Sequence, residues 1–597
     1  MTTAVLPWKQ WVRRTALDWL FVVRTLAGAL LALAIALRLD LSSPGSAAVT
    51  VAIIALPQTG MVLEKSFYRF LGTLLGAIVT LCLVAVLAQH QYAFIAAVAA
   101  WIGLCTAASA RFPGFRAYGW LLCGYTTALV GVPAFLDANH AFDIAVDRVT
   151  IVSVGILSAG IVNAIFNPSR STASLDTSIR NSVETLVRAR DLIGARADTT
   201  TVEQQLQRLS LGLVELESAR SSGVFEDPVT RIRSRRIRLL VEHLMVARGR
   251  LDVLHRQLQR TANDPVATLL SREADEEVQA VLDVYAKIDS LDTSDLRPVF
   301  TRATIAVDAV QALVAGTRAA LTVLLCTAFW ILSEWPDGLL ATVFATVGCA
   351  VLAATPNPVR AAWQMGIGAA LGVLETLVCD LYILPAANDF VTLALALVPF
   401  MAVAAWQMTR PALVLQGGSC LLIFLMCSNL TGVMHYDVVA ILNSGVAALA
   451  GQLVAMVSLA VIGPSDPAWR ARRIMRRLLG TLRLARSGEL EHLRTRFHHE
   501  VQDLTTQLIA VRATNTQSAQ DEKLASNVME IGDAIIRLRH EPGSPELERC
   551  LDDVVAAAKA EDTRAFASLE TRLAALREPG APVLRLALQA LGDPRAA

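Results

Sequence analysis

The chain has 597 residues, of which 54% are hydrophobic and only 18% charged, and its net charge is +1. Soluble domains carry about 25% charged residues, and the mean hydropathy here is +0.49, so an ordinary water-soluble domain is excluded. The apolar residues are also partitioned: 19–166 and roughly 311–463 hold nearly all the apolar runs, whereas about 167–310 and 464–597 are dense in Arg, Glu, Asp and Gln.

A bilayer-spanning helix needs about 17–25 mainly apolar residues. In chain order the first block offers Trp19–Leu37, Ala47–Leu63, Phe70–Ala88, Tyr92–Ala110, Ala117–Leu136 and Val149–Phe166. The second offers a run ending near Leu332 and interrupted by Arg318, then Gly338–Ala354, Ala361–Leu384, Val391–Met408, Pro411–Leu430 and Val438–Ile462. None alternates with the period of two that a barrel strand requires. The fold class is therefore an all-α polytopic helical membrane protein with about twelve transmembrane helices. Arg13 and Arg14 precede a long run that itself contains Arg24, which fits a retained signal anchor better than a cleaved signal peptide. Eight of the nine cysteines lie in apolar segments without a CxxC pair, as small buried hydrophobes do.

With a cytoplasmic N-terminus, the inner connections contain Arg13, Arg14, Lys65, Arg69, Arg111, Arg116, Arg170, Arg302, Arg318, Arg360, Arg410 and the cluster Arg470, Arg472, Arg473. Among the outer connections only Arg38 and Arg148 are basic. Lys and Arg accumulate on the cytoplasmic side of short loops, so both polar regions and both termini are expected in the cytoplasm.

Gly72 and Gly76 share one helix face, where small residues permit close backbone approach. The pattern recurs 296 residues later at Gly368 and Gly372. Arg24 opening "RTLAGALLALAIAL" parallels Arg318 opening "RAALTVLLCTAFWIL", and "NPS" at 167–169 parallels "GPS" at 463–465. These correspondences point to a tandem duplication: six-helix repeats at 1–168 and 311–464, each followed by a cytoplasmic helical domain, at 169–310 and 465–597. An even number of spans keeps the repeats parallel, related by an axis along the membrane normal.

In the first polar region Ile237, Leu240, Leu244, Ala247, Leu251, Leu254 and Leu258 alternate three and four apart, a heptad seam. "RIRSRRIR" (231–238) comes without a nucleic-acid reading motif and reads as a solvated helix face; no nucleic acid is expected. "WRARRIMRRLLG" (469–480) reads as lipid-headgroup contact or as positive-inside anchoring. His498, His499, Glu500 and Asp503 lack metal-ligand spacing and read as wet surface.

No phosphate loop and no GxSxG or HExxH set occurs, so an enzyme, a cofactor and a metal site are not expected. Polar groups inside apolar runs are costly and are therefore the functional candidates. Glu375, in the middle of Ala361–Leu384, is either a proton-coupling carboxyl or an interhelical hydrogen-bonder; its repeat counterpart is Val79. Arg24 and Arg318, inside their spans, either meet an anionic substrate or snorkel to headgroups. Arg148 stands beside Asp147, as a pathway residue or a local ion pair. Gln58 follows Pro57, where a broken helix would free backbone groups to line a cavity, and Gln416 precedes Gly417 and Gly418 in a similar setting. Asn163 and Asn443 read as interhelical hydrogen-bonders.

"RTLAGALLALAIAL", "TVAIIALPQTG", "YRFLGTLLGA" and "DRVTIVSVGILSAGIVNAIFNPS" together resemble the fusaric acid resistance / aromatic acid exporter family, with its p-hydroxybenzoic acid efflux pump-like inner-membrane proteins. The resemblance covers nearly the whole chain and is closer in the first half, since "MGIGAALG" lacks the arginine that Arg69 supplies. It implies a bacterial inner-membrane transporter exporting aromatic carboxylic acids or related toxic compounds and using the proton gradient. It further implies a periplasmic adaptor (membrane fusion protein) and an outer-membrane channel as partners. Arg24, Gln58 and Arg69 are the positions carried over as family-motif residues, to join Arg148, Arg318 and Gln416 as substrate-pathway candidates. A small organic anion as substrate, membrane lipid contact and homo-oligomerisation are the remaining expectations. Two rival classes stay open: an anion channel resembling plant malate channels, and a membrane-anchored scaffold with cytoplasmic interaction domains.

Overall fold

The computed structural model describes residues 8–56, 59–112, 114–166, 171–226, 228–260, 265–288, 309–352, 355, 357–387, 389–428, 430, 437–463, 467–487, 493–512 and, with short interruptions, 527–573. Every regular element among them is helical. The chain forms two compact units, one from 1–169 with 307–465 and one from 170–306 with 466–597.

The first unit holds α1 (Trp8–Arg38), α2 (Pro44–Ile54), α3 (Thr59–Leu87), α4 (Gln91–Arg111), α5 (Gly114–Leu136) and α6 (Ala141–Phe166) from its N-terminal part. The second part supplies α11 (Ala309–Ser333), α12 (Gly338–Leu352), α13 (Pro358–Val378), α14 (Phe390–Met408), α15 (Val414–Cys427) and α16 (Val438–Val461). Pro44 and Pro358 open their helices, where a missing N–H costs nothing. Nine helical segments among the described residues are long and apolar enough to cross a membrane. The other three apolar helices, α2, α12 and α15, have only 11, 15 and 14 residues. At 1.5 Å per residue α2 is roughly 16 Å long, about half the hydrocarbon thickness. The span expected over Ala47–Leu63 is thus a short helix ending at Ile54, and its last residues join α3. A residue preceding proline is disfavoured in helix, which accounts for the stop just ahead of Pro57.

Large apolar side chains lie on the outside of this unit: Val86, Leu157, Ile165, Leu332 and Val461 are more than 60% exposed. Only a hydrocarbon solvent makes such a surface stable, and the chain is a multi-pass membrane protein. Inside, small residues set the spacing. Gly72 and Gly76 bring α3 against α5; a Cβ on Gly76 would stand 2.8 Å from the Cys123 carbonyl oxygen, and one on Gly72 would strike that of Gly119. Gly368 and Gly372 bring α13 against α15 in the same manner, meeting the carbonyls of Gln416 and Cys420. The two halves also interlock. α1 packs on α14, and α11 packs on α4, where a Cβ on Gly103 would lie 2.9 Å from the Gly316 carbonyl oxygen.

The second unit contains α7 (Ser171–Gly194), α8 (Thr199–Glu226), α9 (Pro228–Arg260), α10 (Pro265–Ala286), α17 (Pro467–Ser487), α18 (Leu493–Arg512) and α19 (Pro545–Ala560). The heptad seam of α9 is its buried stripe: Ile237, Leu240, Leu244, Ala247 and Leu251 are fully buried against α7, α8 and α10. Two side chains of the Arg-rich tract are tied down, Arg233 to Asp176 at 3.4 Å and Arg236 Nη1 to the Lys287 carbonyl at 2.6 Å. α17 turns Ala471, Leu478, Leu482 and Ala485 into a core with α18 and α19. His498 departs from the wet surface expected of it: it is buried, its ring 6.0 Å from that of Phe497 and Nδ1 4.0 Å from a Glu242 oxygen. The apolar stripe of α18, with Phe497 and Val501, carries it inward.

Candidate functional site

The short α2 is the centre of the polar interior of the first half. A helix that stops inside the hydrocarbon leaves its last carbonyls without partners. Two cations supply the donors. Arg24 on α1 donates to the Leu56 carbonyl, and Lys65 on α3 donates to that of Ile53. Both place positive charge at the negative end of the α2 dipole. Arg24 also lines a pocket with room for little more than a water molecule, beside Thr25, Val51, Ala55, Val62, Ala159 and Asn163. Asn163 Nδ2 donates to its own helix at Ala159.

One turn along α3 from Lys65, on the same face, stands Arg69, only 1% exposed. The glycine contact between α3 and α5 lets Tyr118 and Tyr125, two turns apart on α5, reach it. Arg69 Nη1 donates to Tyr118 Oη at 2.6 Å and to Tyr125 Oη at 3.5 Å, and Nη2 donates to Thr50 Oγ1 on α2 at 3.1 Å. Thr50 in turn donates to the Ser46 carbonyl at 3.0 Å, so its lone pairs face the guanidinium. Lys65 Nζ lies 5.4 Å from the centre of the Tyr118 ring. Arg69 Nε is buried with no hydrogen-bond partner. All three acceptors are neutral, so they orient the guanidinium without cancelling its charge.

Arg148 on α6 joins this cluster, within electrostatic range of Arg69, Tyr118 and Tyr125. Its position near one end of α6 suggested the opposite extremity from Arg69, yet the two lie within electrostatic range of each other. α6 is drawn onto α2 at Gly155, where a Cβ would lie 2.7 Å from the Ala47 carbonyl oxygen. Asp147 accepts a hydrogen bond from Ser42 and is also within electrostatic range of Arg148. Among the described residues Arg148 forms no ion pair within 4 Å and no hydrogen bond, and its Nε is buried.

The remaining candidates are elsewhere. Arg318 Nε donates to the Ile462 carbonyl at the end of α16, 2.6 Å away, so it caps a different element from the one that Arg24 caps. Gln58 lies outside the described residues. Gln416 is partly buried on α15, its backbone against Gly368. Glu375, partly buried on α13, accepts from Cys420 Sγ at 3.2 Å. Beyond it α13 loosens into a single π turn, Cys379–Ile383, carrying Asp380 at 2% exposure. Asp380 escapes a sequence reading because it lies near the end of an apolar run and resembles an interfacial residue. The π turn, a form enriched at functional sites, draws it inward. Thr50, Tyr118 and Tyr125 escape it too; the seven-residue Tyr spacing beside a glycine-matched helix is the signal that would have found the tyrosines. Cations gather around α2, with the buried carboxyl of Glu64 beside Lys65 on α3, while in the second half two carboxyls lie on α13 and its π turn and Arg318 is buried on α11.

Comparison with known proteins fits this membrane architecture. The model of the fusaric acid resistance protein family matches residues 18–268 and 248–596. An uncharacterised transporter of Escherichia coli K12, YdhK, is 24% identical over 516 residues, covering 78% of this chain and 77% of that protein. The fusaric acid resistance protein FusC of Burkholderia cepacia is 26% identical over 344 residues, 46% of this chain and 99% of the relative. The p-hydroxybenzoic acid efflux pump subunit AaeB of Enterobacter cloacae is 22% identical over 279 residues, 45% of this chain and 42% of its own. No solved structure matches. With both matches of the family model spanning nearly its whole length, this multi-pass membrane chain belongs to the fusaric acid resistance protein family, a family of transport and efflux proteins.

Proposed function

We propose that the protein exports small aromatic carboxylic acids from the cytoplasm across the bacterial inner membrane. Both termini and the 170–306 and 466–597 unit lie on the cytoplasmic side, in line with the basic residues of the inner connections. The observation that carries this reading is the gathering of Arg69 and Arg148 in the first-half bundle with neutral hydroxyl partners. An arginine inside a span is costly, and two of them with no carboxylate in ion-pair contact among the described residues suit a protein that handles anions. The relatives named for fusaric acid resistance and p-hydroxybenzoic acid efflux support an aromatic acid as cargo.

Arg24 and Lys65 hold the broken α2 in place beside this cluster, and Arg318 plays a scaffolding part in the second half. Gln58 and Gln416 complete the pathway candidates. Glu375 on α13, with Asp380 beyond it, carries protons inward as the acid leaves; carboxyls within a span support coupled transport over passive conduction. The name of AaeB as a pump subunit supports operation with a periplasmic adaptor and an outer-membrane channel. The similar glycine contacts of α3 with α5 and α13 with α15 support an origin by duplication.

The test is uptake of labelled p-hydroxybenzoate into everted inner-membrane vesicles. Vesicles containing the protein accumulate the acid when respiration acidifies their lumen, and accumulation collapses with a protonophore. Equal uptake with and without the protein would remove the export reading. A reporter fused after residue 170 would separately remove the assigned orientation if it were active only in the periplasm.

A further inference from the structure

A guanidinium has five N–H donors and no acceptor. Arg69 spends three donor contacts on neutral hydroxyls, and its Nε, wholly buried, meets no acceptor. Arg148 has no hydrogen-bond partner among the described residues, and its own Nε is likewise buried. Buried donors without acceptors are costly, and more so when charged. Two like charges in one low-dielectric site add to that cost. Asp147, the neighbouring carboxylate, accepts a hydrogen bond from Ser42 and acts on Arg148 only at longer electrostatic range, beyond ion-pair distance. Both deficits have one remedy, an acceptor that carries negative charge and has two oxygens to share.

We propose that Arg69 and Arg148 form a carboxylate subsite, in which the substrate's carboxylate bridges the two guanidinium groups while the hydroxyls of Tyr118, Tyr125 and Thr50 hold Arg69 in position. The inference rests on the anion-export reading and gives it a location. Bidentate Arg–carboxylate pairing is planar and directional, so the site selects carboxylates over neutral isosteres and over spherical anions. Arg69 is the fixed floor, pinned from α2 and α5. Arg148 is only partly buried and is the side from which the ligand arrives. The second half has no matching arginine, because Met365 stands three residues before Gly368, in the place that Arg69 holds before Gly72.

The experiment is calorimetric titration of the full-length protein in detergent with benzoate, with its neutral isostere benzamide and with chloride. Benzoate is expected to bind at least tenfold more tightly than either of the others. Arg148→Gln should lose tenfold or more in benzoate affinity with benzamide unaffected, and Arg148→Lys should recover part of the loss. Tyr125→Phe, which removes one hydroxyl and leaves the charges, should weaken benzoate binding by a smaller factor and guards against misfolding of the Arg148 variants. Benzoate binding to Arg148→Gln at the wild-type affinity would overturn the subsite. So would equal affinity for benzoate and benzamide, a preference for chloride, or no benzoate binding at all. Because titration needs no transport, its outcome is separate from vesicle uptake: uptake without an Arg148-dependent site leaves export standing, and binding without uptake leaves the subsite standing.

Discussion

Gly76 on α3 faces the Cys123 carbonyl on α5 so closely that a Cβ would lie 2.8 Å from the oxygen, a distance ordinary side chains do not tolerate. This contact is what places the α5 tyrosines at Arg69. Gly76→Leu is expected to push the helices apart and cost about 1–3 kcal/mol. A lowered melting temperature in detergent should accompany loss of benzoate binding. A variant as stable as the parent would show that the approach is not required.

Removing the Arg24 donor takes from the partly buried Leu56 carbonyl the donor that meets it. Arg24→Ala should destabilise the protein by about 1–3 kcal/mol, and its transport defect should be the same for every substrate tried. Thermal unfolding together with uptake of two different acids checks this; a defect confined to one acid would place Arg24 in substrate selection instead.

Glu375 sits where its carboxyl meets the Cys420 thiol at 3.2 Å. Glu375→Gln keeps the shape and removes the titration. Proteoliposomes with this variant are expected to exchange labelled for unlabelled acid at near the parental rate while failing to concentrate it against a gradient. Uphill accumulation by the variant would eliminate Glu375 as the coupling group.

Asp389 caps α14. The Thr392 backbone N–H, and then the Thr392 hydroxyl, hold its carboxyl below the ordinary 3.8. A lowered folded-state pKa means the cap contributes fully above 3.8 and fades as the pH drops through the folded value. Asp389→Ala lacks the cap at neutral pH, so the melting temperatures of variant and parent should differ there and converge in acid. A difference that persisted in strong acid would mean that the carboxylate is not the source.

In the other unit, Leu244 and Leu251 are fully buried on the α9 seam. Truncating either to Ala should cost about 2–5 kcal/mol, whereas truncating Leu239, which is 42% exposed on the opposite side of the same helix, should cost little. Limited proteolysis of the three variants would separate them.

Much of this is readable from the residues. Long apolar runs and the α9 heptads declare themselves because periodicity is a local property, and the glycine pairs announce close packing for the same reason. The length of α2 is harder: Ala47–Leu63 contains enough apolar residues to span, and only the steric demand of a proline shortens the helix. The meeting of Arg69 with Arg148 is not legible at all. They are 79 positions apart, and assigning them from loop polarity puts them at opposite ends. What unites them is the convergence of four helices, fixed by glycines that individually say only that something is near. His498 escapes for a related reason, since one polar letter on an apolar stripe goes wherever its helix rolls.

The interlocking of α1 with α14 and of α4 with α11 has a genetic implication. Each half packs a helix against the other, so part of each half's packing is supplied by the other. Joining them in one polypeptide supplies each with its partner in strict one-to-one ratio and leaves each free to carry its own polar groups.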